Sequence, residues 1–123
     1  MTNDSPTGPP TELTDPEDAK LVTLARSVRA RTGAFEGACV RDTDGRTYAG
    51  ATVELATLQL TALQVAVAMA VSSGSGGLEA ALVLGDSATV NEADVSVVRD
   101  LAGAGVPFHL ATPDGTVVGS VTT

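Results

Sequence analysis

The sequence predicts a layered α/β domain: about five strands in a mixed sheet with helices packed on it. Two observations carry that expectation. Amphipathic helical periodicity alternates along the chain with short runs of Ala, Val and Leu. Asp-Gly turns, Asp44-Gly45 and Asp114-Gly115, also join neighbouring runs as hairpins do. With 123 residues the chain suffices for one domain with a real core and is too short for two.

Residues 1–13 are rich in Pro, Thr and polar groups and read as a disordered tail, leaving 14–123 as the folded domain. Thr14 and Glu17 stand at capping-box spacing, and Pro16 suits a first helical turn. Leu21, Leu24, Ala25 and Val28 then recur at i, i+3, i+4 and i+7. Arg26, Arg29 and Arg31 crowd the end of this helix, where its dipole favours cations, and Gly33 stops it. Phe35–Arg41 and Thr47–Val53 read as strands around the turn Asp42-Thr43-Asp44-Gly45.

The stretch from Leu55 to Leu78 carries no charge. It reads as a helix from about Ala56 to Ser72, apolar on every side from Val65 to Val71. One sheet cannot cover such a helix in so small a chain. Cover from a second copy is therefore expected, with Val67, Met69 and Val71 as interface candidates in a dimer or tetramer. Ser72–Gly77 reads as a linker and Leu78–Leu84 as a strand buried in a parallel sheet. Asn91 offers a helix cap with Asp94 three residues on, and Val95, Val98, Leu101 and Ala102 give an amphipathic face. Val106–Thr112 and Thr116–Val121 complete the strands around Pro113-Asp114-Gly115.

Composition excludes several classes of partner. The net charge of −8 argues against nucleic acid and anionic membrane, both of which need a basic face. The densest apolar run, Ala62–Val71, is about half the ~20 residues that a bilayer span requires. The first residues lack the basic start and apolar run of a signal peptide, and Cys39 is the only cysteine. A cytoplasmic protein is the expectation. Aromatic residues make up 2%, so Val, Leu and Ala must build the core.

Catalytic motifs are sparse. His109, the only histidine, alternates away from Phe108 and Leu110 and reads as a surface or edge residue. Cys39 reads as a small buried thiol. Gly74-Ser75-Gly76-Gly77 follows a helix and precedes a strand, the reverse of the order in phosphate loops. The carboxylates fall in caps, turns and the tail, with no assignable acid–base pair.

One segment nevertheless resembles a known family. Gly37–Thr61, GACVRDTDGRTYAGATVELATLQLT, is similar to the first hairpin of the cytidine deaminases and the approach to their active-site helix. Against the family's run G-C-N-V-E-N-A-S-Y-G-L-T, this chain keeps Gly50, Val53, Glu54, Ala56, Leu60 and Thr61 without a gap. The likeness extends over roughly residues 18–121 and implies a three-layer, cytidine-deaminase-like domain.

In that family a zinc ion holds the attacking water, three Cys or His ligands hold the zinc, and a Glu moves the protons. By the resemblance, one ligand and the Glu fall on Leu63 and Val65, and the two thiolates on Asp94 and Val97. The implied cofactor is zinc, and the implied ligands are absent, so no cofactor is expected. Thr52 stands where the family has a substrate-binding Asn, and Glu54 could meet a ribose hydroxyl; these two are the vestigial substrate-binding candidates. Apolar packing is expected to fill the place of the site. The resulting reading is a catalytically inactive family member, an oligomeric interaction or regulatory module. A non-catalytic nucleoside or nucleotide sensor is the alternative, and an active deaminase comes third.

Overall fold

The computed structural model describes residues 15–87 and 89–123, so the tail expected at 1–13 lies outside the described residues, as does Thr14. The elements run α1 (Pro16–Thr32), β1 (Gly37–Asp42), β2 (Thr47–Ala51), β3 (Val53–Glu54), β4 (Gln59–Leu60), α2 (Ala62–Ser72), β5 (Leu78–Leu84), α3 (Glu92–Ala102), β6 (Pro107–Ala111) and β7 (Val117–Thr122). Five strands form one sheet in the order β2-β1-β5-β6-β7. Only β5 and β6 are parallel, joined through α3; the other neighbours are antiparallel. The mixed α/β sheet is therefore as expected.

Strand alternation divides the core between two faces. Ala38, Val40, Ala81, Val83, Phe108 and Leu110 pack against α2 and α3. Cys39, Ala80, Leu82, Leu84, Ala111 and Val117 pack against Leu21 and Ala25 of α1 on the other side. The result is a three-layer α/β/α arrangement. Two glycines let the layers approach. A Cβ on Gly37 would stand 2.1 Å from the Ala25 carbonyl oxygen, and one on Gly50 would stand 2.8 Å from the Ala66 nitrogen.

The N-cap of α1 is Asp15, whose carboxylate accepts from Glu17 N at 2.9 Å. Gly33, in the left-handed region at φ 66°, ends the helix as expected.

The uncharged stretch departs from expectation in two ways. The helix begins at Ala62, six residues after Ala56, because Thr61 and Gln64 form a reciprocal capping box. The preceding residues instead make a two-stranded ribbon, with Val53 opposite Leu60 and Glu54 opposite Gln59. α2 is also not enclosed on every side. Ala62, Leu63, Ala66, Val67 and Ala70 face the core, while Met69 is 42% and Val71 52% exposed. Of the three interface candidates, Val67 thus belongs to the protomer's own core, and Met69 and Val71 lie on its surface.

Candidate functional site

The N-termini of α2 and α3 meet. At α2, Thr61 Oγ1 accepts from Gln64 N, and Gln64 Oε1 accepts from Thr61 N. At α3, Asn91 Oδ1 accepts from Ala93 N. A hydrogen bond joins the two ends, because Thr61 Oγ1 donates to Asp94 Oδ1 at 2.7 Å. Asp94 is 1% exposed, and burial pushes its pKa up against the lowering effect of that hydrogen bond. A carboxylate read as part of a helix start, and placed by the resemblance at a thiolate position, is therefore a buried tie between two helices.

Beside this junction opens a cleft of about 540 Å³. Phe35, Glu36, Thr52, Glu54, Gln64 and Asn91 contribute to its walls, with Thr61 and the β3–β4 ribbon. The space beside the junction is thus open, with no apolar side chain packed across it. The β3–β4 ribbon supplies one wall of the cleft.

Both vestigial substrate-binding candidates, Thr52 and Glu54, line the cleft. Thr52 is already engaged, since its hydroxyl accepts from Glu36 N at 3.0 Å and its own N–H donates to Glu36 O at 3.2 Å. Glu54 is exposed at the end of β3. Leu63 and Val65 do not contribute to the walls. Leu63 is wholly buried under α2, and Val65 packs where Gly50 lacks a side chain. Val97 packs partly buried against the same core.

Sequence reasoning missed Glu36, Gln64 and Asn91 as cleft residues. Burial raises the pKa of Glu36, Asp94 adds to the rise, and Arg29 opposes it. Two signals in the sequence pointed here: a carboxylate in the otherwise small and apolar run Phe35–Val40, and the T-x-x-Q pattern at Thr61.

The chain's imidazole and thiol lie on the other face of the sheet. Cys39 is wholly buried among the residues under α1, as expected, and burial pushes its thiol up to about 12. His109 is not a surface residue: it is 8% exposed. Its alternation away from Phe108 and Leu110 places it on the sheet face that α1 covers. There Nδ1 lies 2.7 Å from Ser120 Oγ and Nε2 3.8 Å from Asp18 Oδ2. Asp18 is shared with Arg41, which also reaches Glu79.

Zinc sites are built from thiolate, imidazole and carboxylate in tetrahedral sets. The cleft offers carboxylates, amides and the hydroxyls of Thr52, Thr61, Ser87 and Thr89, and the thiol and imidazole lie beyond the sheet. Among the described residues, no group of three or more His, Cys, Asp or Glu could hold a metal. The donor set does not fit zinc.

Comparisons with known proteins agree with the fold. A family model described as cytidine deaminase-like matches residues 14–115. The chain is similar to the crystal structure of cytidine deaminase from Burkholderia pseudomallei, with a TM-score of 0.70 and 22% identity over 85% of this chain and 89% of that one. It is similar also to the Mycobacterium leprae cytidine deaminase, at 0.67 and 22% over 90% and 94% of the two chains. The Mycobacterium tuberculosis cytidine deaminase gives 0.65 and 24% over 83% and 89%. The search of curated proteins gave no match. With its family model matched over most of its length, and with this sheet order and helix arrangement, the chain belongs to the cytidine deaminase-like family.

Proposed function

We propose that this chain is a non-catalytic member of its family that binds a small ligand of nucleoside type in the cleft beside Thr61. The observation that carries the reading is the state of the helix junction. The cleft remains open, at about 540 Å³ within the size range of small-molecule sites, yet Thr61 and Asp94 bond to each other at its base. Hydrolytic deamination needs a metal-held water and a carboxylate that moves protons. Val65 and Leu63 stand at the positions that the resemblance gives the Glu and one ligand, and both are committed to packing. The nucleoside class is carried over from the similar proteins, which are named cytidine deaminases.

The test combines metal content with binding, in protein purified without chelator or affinity tag. Zinc is expected below about a tenth of an equivalent, with no uridine formed from cytidine. Cytidine at 100 times its Kd should add roughly 2.7 kcal/mol of stability. One equivalent of zinc together with uridine formation would overturn the reading.

A second reading is an interaction module assembled as a homo-oligomer. The exposure of Met69 and Val71 on the outer face of α2 favours it. It becomes the leading one if no nucleoside or nucleotide shifts the melting temperature.

A further inference from the structure

We infer that the cleft selects a small organic cation, one that presents N–H donors of ammonium or amidinium type to Glu36, and that it rejects anions. The inference rests on the reading of the cleft as a ligand site and goes beyond the nucleoside class proposed for it. It starts from how Glu36 is held. Thr52 pins the Glu36 main chain at both its N–H and its carbonyl. Gly85 gives the side chain its room, because a Cβ there would stand 2.9 Å from Glu36 Cγ. The main chain that carries the carboxylate is thus held before any ligand arrives.

The carboxylate itself is left over. Among the described residues it makes no side-chain hydrogen bond and no ion pair. Arg29, the cation whose field reaches it, is engaged elsewhere: it donates to the Phe35 carbonyl at 3.0 Å and pairs with Asp86 at 3.7 Å. A half-buried carboxylate without a partner is costly, and a cationic donor removes that cost.

The rest of the lining points the same way. The described wall residues include Glu54 as a second carboxylate and no Lys, Arg or His. Asp94 stands buried behind the wall and adds to the negative field. A phosphate or carboxylate would enter against like charge with no cation to meet it. Phe35, 59% exposed on the wall, adds an aromatic side chain that can meet the hydrocarbon or cationic part of a ligand. Gln64 and Asn91 spend their carbonyl oxygens on the helix caps, which leaves their NH₂ groups to donate to a ligand acceptor.

Benzamidine, benzamide and benzoate test this directly, being nearly isosteric with charges of +1, 0 and −1 at pH 7. Titrations of the full chain, followed by amide NMR shifts of the cleft residues, should rank them in that order. Benzamidine is expected to bind roughly tenfold more tightly than benzamide. Glu36→Gln should abolish that preference while leaving the spectrum outside the cleft unchanged, and Glu54→Gln should weaken it. Cytidine is titrated in parallel to separate the two readings. If cytidine shifts the cleft resonances and benzamidine binds no better than benzamide, the cation preference is wrong and the ligand site stands. If none of the four compounds shifts them, both readings fall. A preference for benzamidine that survives in both variants would also overturn the inference, because the selection would then lie outside these carboxylates.

Discussion

Asp94 and His109 are each nine-tenths buried or more, and they sit on opposite sides of the sheet. Their titrations pull stability in opposite directions. The pKa of Asp94 is raised in the fold, so its contribution is present below the unfolded value and is lost as pH rises through the folded one. At pH 7 the buried charge therefore costs stability. Asp94→Asn keeps an oxygen for Thr61 and removes the charge, and it should stabilise the protein by about 1 kcal/mol at pH 7. Urea unfolding should show that gain vanishing towards pH 4; a gain independent of pH would contradict the assignment. His109 behaves in the opposite sense, because burial lowers its pKa against the attraction of Asp18 and with the help of Arg41. The neutral ring fits the fold, so its contribution is complete above the unfolded value of about 6.5 and is lost as pH falls through the folded one. His109→Asn should flatten the stability profile between pH 7 and 5, and an unchanged slope would show that other groups set it.

At the scale of the element, α2 shows how one residue decides where a helix starts. A run without charge gives no boundary by hydropathy, so the start falls to the capping box at Thr61 and Gln64. Thr61 also carries the bond to Asp94. Thr61→Ala should therefore cost more than an ordinary cap, about 2–4 kcal/mol, since it removes the cap and strands a buried carboxylate. Thr61→Ser keeps both bonds and should recover most of that loss in urea unfolding. The outer face of α2 makes a different prediction. Met69→Asp with Val71→Asp lies at exposed positions and should leave the melting temperature within a few degrees while lowering the mass seen by light scattering. An unchanged mass would remove that face from any assembly. Val67→Asp, at 5% exposure, should instead unfold the protomer.

At the scale of the molecule, the three-layer scaffold keeps the thiol and imidazole on the α1 side and opens the cleft on the α2 and α3 side. The separation comes from strand alternation: Cys39 and His109 point one way, and Ala38, Val40, Phe108 and Leu110 the other. No helix among the described residues is long and apolar enough to cross a membrane. The architecture shared with the crystal structures of cytidine deaminases here presents oxygen and amide groups around an open space.

Much of this was legible in the residues alone. Periodicity and Asp-Gly turns determined the five strands of the main sheet, the β1–β2 hairpin at Asp44-Gly45, and the helices that begin near Pro16 and Asn91. These are local properties, fixed by spacing and turn chemistry. The run from Gly50 to Thr61 carried the family, because its residues are matched one by one. Tertiary structure alone decided the rest. Where Leu63 and Val65 pack, whether His109 is buried, and whether Glu36 lies within the field of Asp94 all depend on elements far apart in sequence. Glu36, just before β1, feels the charge of Asp94 on α3, and no local pattern encodes that proximity. Hydropathy also misjudged the faces of α2, since a helix of Ala and Val looks the same on every side until its neighbours cover one and leave the other to solvent.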